Sequence, residues 1–253
     1  MQYEHLLQET EGQVSHVTLN RPDKLNCLAE QTWSELEHAL DAADSDPDVR
    51  AVVLSGAGKA FCAGDDISDL SFDDARDARE YARFVMERAV ALERVETPVV
   101  AKVDGIAHGG GCELAATADV TIASESSTFR QPEALLNAAP GVALVRYAEL
   151  VGISHAREMM LTTRELDATE AQIMGLVNEV AADDELDDVV EKRLDQVTAI
   201  SPMSARVIKQ AMNSQLGMEE AAVDALSYLF SMDDMQEGME AFFEKREPEW
   251  DYR

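Results

Sequence analysis

Three consecutive glycines, Gly109, Gly110 and Gly111, run into a short apolar segment in the stretch "HGGGCELAATAD". Glycine loses more freedom on ordering than any other residue, so a run of three marks backbone that something must approach closely. The segment after it reads as a helix, with one carboxylate, Glu113, in its first turn. A second glycine-bearing turn, "FCAG", follows another short apolar run at residues 61–64. Each turn could present a backbone N–H with no side chain in the way. Two such donors near a helix N-terminus stabilise negative charge developing on a carbonyl oxygen, and a carboxyl beside them can move the accompanying proton. Taken singly, each turn is equally explained as a tight turn, and a first-turn glutamate as a dipole cap.

Other glycine-loop chemistries are excluded by what is missing. "GAGKAF" at 56–61 lacks phosphate-loop spacing, and Lys59 is followed by Ala60 rather than Ser or Thr. No G-x-G-x-x-G opens a helix after a strand, which argues against a dinucleotide fold. Esterases also use an HGGG stretch, but they need a G-x-S-x-G nucleophile elbow, which is absent. Cys112 has no evident partner base and reads as a small buried residue. His108 reads as a packed or exposed histidine.

The elements that must position these turns follow from periodicity. "HVTLNRP" alternates and reads as a strand; "AEQTWSELEHALDAADSD" carries Trp33, Leu36, Leu40 and Ala43 at helical spacing. "VRAVVLSG" and "PVVAKVDG" read as buried strands leading into the two glycine turns, with a long helix over about 73–95 between them. "DVTIAS" is a strand, "PGVALVRYAELVG" a helix, and "DATEAQIMG" then "LVNEVA" a helix and a strand. From about residue 184 the pattern is helical, broken at Ser201–Pro202 and Gly217. Strands alternating with helices predict an α/β fold. Met203, Met212, Met218, Tyr228, Phe230, Met232, Met235 and Met239 read as core or subunit contacts rather than a cofactor box.

The totals narrow the function classes. A chain of 253 residues fits one large α/β domain, alone or with a helical appendage. No apolar run reaches membrane-span length, and "MQYEHLLQETEG" lacks the features of a signal peptide. Cys27, Cys62 and Cys112 are odd in number and far apart, which suits a reducing cytoplasm and suggests no zinc site. Fifty acidic residues against 21 basic ones give a formal charge of −29, which excludes a nucleic-acid partner. The acids are scattered and only six residues are lysine, a pattern read as an acidic folded surface adapted to concentrated salt.

In order along the chain, "TLNRPDKLNCL", "VRAVVLSGAGKAFCAGDDI", "PVVAKVDGIAHGGGCELAATADVTIAS", "TFRQPE", "LTTRELDATEAQIMGLVNEV", "SPMSARVIKQAM" and "DMQEGMEAFFEKREPEW" resemble the crotonase superfamily of enoyl-CoA hydratases and isomerases. The resemblance covers nearly the whole chain. It implies an α/β fold of the ClpP/crotonase type: a spiral of repeated β-β-α units over 1–200, then a C-terminal α-helical region, 201–253, that builds trimers or dimers of trimers. It implies an acyl-CoA substrate, with coenzyme A arriving as part of the substrate and no separate cofactor. Ala63 and Gly110 match the backbone donors of the oxyanion hole, and Glu113 and Glu133 the two catalytic glutamates. Asp65, Asp66 and Ile67, with Gly109, Pro140 and Gly141, match the coenzyme A and acyl path; Lys24, Leu25 and Cys27 match the loop on the coenzyme A arm. Arg21, Lys24 and Lys59, with Lys245 or Arg246 contributed by a neighbouring subunit, are candidates for its phosphates. In this chemistry water adds to C3 of a 2-enoyl thioester and a proton to C2, Glu113 serving as base and Glu133 as acid.

Two departures stand out. Where the family commonly has "PGAGG", this chain has "PGVAL", so Ala143 and Leu144 replace glycines and are expected to reshape the acyl pocket. "TFRQPE" carries Arg130 in place of the usual glycine, and an arginine there is expected to lower the Glu133 pKa. A double-bond isomerase and a non-catalytic acyl-CoA-binding scaffold are the alternatives; retention of both acids and both donor positions disfavours the scaffold.

Overall fold

The computed structural model describes residues 3–213 and 230–246, together with Val223 and Ser227. The chain begins as an antiparallel hairpin, β1 (Leu6–Glu11) and β2 (Val14–Leu19), and α1 (Glu30–Ser45) then buries Trp33, Leu36, Leu40 and Ala43. Three passes of one kind follow. In the first, β3 (Ala51–Gly56) enters a large sheet, β4 (Ala60–Cys62) a small one, and α2 (Ala75–Ala89) and α3 (Ala91–Arg94) return the chain. In the second, β5 (Val99–Val103) and β6 (Ile106–His108) repeat the step, returned by α4 (Gly110–Thr117). In the third, β7 (Val120–Ser124) and β8 (Thr128–Arg130) are followed by α5 (Gly141–Leu150) and α6 (Ile153–Thr162). β9 (Leu166–Asp167) then closes the small sheet, and α7 (Ala168–Met174) leads to β10 (Glu179–Ala181), α8 (Leu186–Ala199) and α9 (Pro202–Asn213). The last described helix is α10 (Asp233–Glu244).

The large sheet runs β1-β2-β3-β5-β7-β10, parallel except at the hairpin; the small one runs β4-β6-β8-β9, parallel except at its last pair. Each pass adds one strand to each sheet, which is the spiral of β-β-α units. The central strands of the large sheet are apolar on both faces because both are covered. Val52, Leu54, Val99 and Val103 join the main core with Trp33 and Leu36, while Val53, Val100 and Ile122 meet Leu186, Val190 and Leu194 of α8 on the other side.

Periodicity missed the short strands. β4, β6 and β8 span three residues each, too few for an alternation to register, and the first two lie inside segments read as loops. β1 and α6 were not anticipated either. The long helix expected over about 73–95 breaks at Val90, where ψ reaches 8°.

The described part of the C-terminal region packs onto the spiral. Lys209 of α9 is buried, 2.6 Å from Asp119 Oδ2, and donates to the Thr97 carbonyl. Met235 and Ala241 of α10 are buried. A Cβ added to Gly238 would lie 2.8 Å from Leu136 Cα, so α10 rests backbone to backbone on the turn that carries Glu133. Met203, Val207, Ile208 and Met212 on α9 and Phe242 and Phe243 on α10 remain exposed. Gly217, Met218 and Tyr228 lie outside the described residues. Among those described, no helix is long and apolar enough to cross a membrane.

Candidate active site

A cavity of about 110 Å³ opens where β4 and β6 leave the small sheet. Its wall holds Ala63, Asp65 and Ile67 from the turn after β4, Gly109 and Glu113 from the turn into α4, and Glu133, Pro140 and Gly141 from the segment between β8 and α5. One face of α2 and Phe230 complete it.

The glycines are demanded chiefly by the protein itself. A Cβ on Gly111 would lie 2.2 Å from the Cys62 carbonyl oxygen, so α4 packs directly on the backbone of β4. Gly109 has φ 51°, and a Cβ there would meet Glu133 Oε1 at 2.8 Å. A Cβ on Gly110 would reach Leu28 Cδ1 at 3.2 Å and Asp65 Oδ2 at 3.3 Å. The triplet thus brings both carboxyl-bearing turns and the β4 turn together before any ligand arrives.

Glu113 is buried, and its Oε1 accepts from the Ala143 N–H at 2.9 Å, in the first turn of α5. Burial drives its pKa up to about 8, against those backbone donors. Glu133 sits in a short turn, Glu133–Leu136, entered from Pro132 and ended by Asn137 in a left-handed conformation. Burial first, then the charge of Glu113, raise its pKa well above the ordinary range. With its amide oriented to satisfy both ends, Gln131 donates to both Glu133 oxygens at 3.1 Å and accepts from the Tyr147 hydroxyl at 2.6 Å. Arg130 turns away: its Nε donates to the Thr163 carbonyl, and its charge is outweighed by burial. The expected lowering of the Glu133 pKa is therefore replaced by a rise.

The N–H of Ala63, expected as an oxyanion donor, is donated to the Leu25 carbonyl at 3.0 Å. That of Gly64 points to Cys62 Sγ at 3.4 Å. The next N–H in the turn, that of Asp65, donates to no other residue among those described, and neither does that of Gly110 at the start of α4. The donor pair consistent with this hydrogen bonding is Asp65 and Gly110, a shift of two residues from Ala63.

A family model described as "Enoyl-CoA hydratase/isomerase" matches residues 9–253. The chain belongs to the enoyl-CoA hydratase/isomerase family. It is 36% identical to the short-chain-enoyl-CoA hydratase of Clostridium acetobutylicum, with 98% of each chain covered. It is also 36% identical to the crotonyl-CoA hydratase of Syntrophomonas wolfei, with 97% of each covered. A crystal structure of an enoyl-CoA hydratase from Mycobacterium avium subsp. paratuberculosis superposes with a TM-score of 0.88 at 29% identity, covering 98% of this chain and 99% of that one.

In this member of the enoyl-CoA hydratase/isomerase family, several residues carried over from the resemblance lie off the cavity. Asp66 points away from it: burial opposes its charge, but the Ser68 hydroxyl and the Arg21 guanidinium, 3.0 Å away, hold its pKa down to about 2. Arg21 also donates to the Cys27 carbonyl, so it clamps two loops and is engaged before any phosphate arrives. Lys24, Leu25 and Cys27 line no part of the cavity wall; Lys24 and Lys59 are exposed on adjacent turns, since a Cβ on Gly58 would meet Pro22 Cβ at 3.2 Å. Arg246 pairs with Glu237 and Glu244 of its own chain, and Lys245 is exposed beside it. Ala143 is buried and serves Glu113 through its N–H, while Leu144 is 42% exposed; neither side chain of the "PGVAL" departure is among those lining the cavity. Cys112 is buried beside the Tyr147 hydroxyl with its thiol pushed up to about 12, and His108 bonds Thr128, both structural roles.

Sequence reading missed Asn26, Gln131, Tyr147 and Tyr81. Asn26 donates to the Ala57 and Ala60 carbonyls and holds the loop before β4. Gln131 was visible inside "TFRQPE", since an amide two residues from a carboxyl across a proline is a natural bonding partner. Tyr147, within "PGVALVRYAELVG", and Tyr81, in the long helix, carried no local signal.

Proposed function

We propose that the protein hydrates 2-enoyl-CoA thioesters to 3-hydroxyacyl-CoA. The observation that carries this is the pairing of two buried carboxyls on one cavity wall with two backbone N–H groups that bond no other residue among those described. The carbonyl oxygen of the thioester accepts from the Asp65 and Gly110 N–H groups. As water adds at C3, charge moves onto that oxygen and the donors stabilise it. Glu113 is the easier of the two acids to ionise because the start of α5 donates to it, so it takes the proton from water. Glu133, protonated and held by Gln131, delivers a proton to C2. Proton transfer then returns the pair to its starting state through the product hydroxyl and solvent.

Loss of the conjugated thioester absorbance of crotonyl-CoA tests the reaction. Glu113→Gln and Glu133→Gln keep shape but cannot exchange a proton, and each is expected to lower kcat by at least ~10²-fold. A variant that keeps activity on a 3-enoyl-CoA while losing hydration would indicate an isomerase. Near-wild-type hydration in either folded variant would put the chemistry on other residues.

The acidic, lysine-poor composition supports operation in concentrated salt, and three free cysteines fit a reducing cytoplasm. The exposed apolar side chains of α9 and α10 are the natural seat of a trimer or a dimer of trimers built by residues 201–253.

A further inference from the structure

Gln131, Tyr147 and Cys112 form a line of fully buried polar groups behind Glu133. The Tyr147 hydroxyl oxygen, on α5, lies 2.6 Å from one end of the Gln131 amide and 3.2 Å from Cys112 Sγ on α4. The other end of that amide lies 3.1 Å from both Glu133 oxygens. An amide can face a carboxyl in two ways, and they differ in what becomes of the acid's proton. With its NH2 toward Glu133 the amide donates, and the carboxyl O–H is free to point elsewhere. With its carbonyl toward Glu133 the amide accepts the O–H and ties the proton down.

The choice is settled at the far end. Tyr147 has one proton to donate and two neighbours to receive it, and sulfur is the weaker acceptor. A separation of 2.6 Å is normal for O–H···O and short for N–H···O. The hydroxyl therefore donates to the Gln131 carbonyl. Its own oxygen is left to accept from the Cys112 S–H, a thiol that burial pushes up to about 12 and so keeps protonated. We propose that Tyr147 is a positioning residue: by fixing the direction of the Gln131 amide, it keeps the Glu133 proton off Gln131 and free for C2 of the substrate. The inference rests on the hydratase reading of the same site. Glu133 lines the cavity while Gln131, Tyr147 and Cys112 do not, so the line acts through Glu133 alone.

The test is Tyr147→Phe, which keeps the ring and deletes the hydroxyl. The Gln131 carbonyl, deprived of its donor, is then expected to turn to the Glu133 O–H. For crotonyl-CoA, kcat should fall ~10-fold or more while KM stays within about twofold, the pattern of a lost proton transfer rather than lost binding. In a Gln131→Leu background the same substitution should cost nothing further, because Tyr147 has no amide to direct. An unchanged kcat in Tyr147→Phe, or an equal loss in both backgrounds, overturns the proposal. Infrared spectroscopy reads the acid without turnover: the carbonyl stretch of the protonated Glu133 carboxyl is assigned by its disappearance in Glu133→Gln. In Tyr147→Phe it should move to higher frequency as that carbonyl loses its N–H donor. A shifted band in a protein that hydrates no 2-enoyl-CoA supports the positioning and strikes only the hydratase reading. An unshifted band, or no such band in the wild type, beside normal hydration strikes the positioning and leaves the hydratase reading standing.

Discussion

Burial lifts the Glu113 and Glu133 carboxyls above the range in which exposed glutamates release their protons, and folding bears part of that cost. The folded pKa of Glu113 lies near 8, above its ordinary 4.5. Between those values the unfolded chain has released a proton that the folded chain still binds, so the residue weakens the fold progressively as pH rises through that window. Glu113→Gln has no proton to lose. Its melting temperature should match the wild type near pH 4.5 and exceed it by several degrees near pH 8, since a gap on the order of a few kcal/mol corresponds to a shift of that size. A difference independent of pH would mean that folding does not raise the Glu113 pKa. Glu113 was legible in the sequence because a carboxylate in a helix first turn after glycines is a local feature. The proposed oxyanion donor was not: which N–H of "FCAGD" is left without another residue to bond depends on the Leu25 carbonyl, nearly 40 residues away, and no spacing within the motif reveals that.

At the scale of elements, strands of three residues do the positioning. β4 and β6 deliver the two glycine turns side by side, and the parallel pairing of Ala60 with Ile106 and Cys62 with Ala107 sets their register. Most helices, α6 excepted, and the long buried strands were readable from their periods; these short strands were not, because their pairing is settled by the sheet rather than by their own sequence. The same holds for α10, whose amphipathic pattern reads as a subunit contact but whose Gly238 sits on Leu136. Gly238→Ala puts a methyl group 2.8 Å from that backbone, so the Glu133 turn must move. We expect kcat/KM to drop ~10-fold or more while melting falls only modestly, because displacement of a catalytic group costs rate before it costs stability. Wild-type kinetics in a folded variant would show that the turn is set without α10.

The whole molecule carries a formal charge of −29, and the ligand it is proposed to bind carries phosphates. Arg21 is already paired with Asp66 and Arg246 with two glutamates, which leaves Lys24 and Lys59 as exposed cations on the loop side. In dilute buffer self-repulsion is expected to loosen the fold, and the acidic surface to repel the ligand. Raising KCl from ~0.1 to ~2 M shrinks the Debye length from about 10 Å to below about 3 Å, so activity and melting temperature should rise together. Maximal activity in dilute buffer would refute salt adaptation. The net charge itself was legible without any structure, because it is a sum that ignores arrangement.

The seat of α10 on the Glu133 turn implies a reciprocity. If the helix braces the turn, then whatever braces the turn also braces the helix, since a coupling free energy works equally in both directions. A saturated acyl-CoA in the cavity should therefore slow amide hydrogen exchange along Asp233–Glu244, although those residues lie outside the proposed catalytic pair. Exchange in β5, at the centre of the large sheet, should be unaffected. If exchange along the helix is unchanged, the cavity and α10 are neighbours that do not communicate.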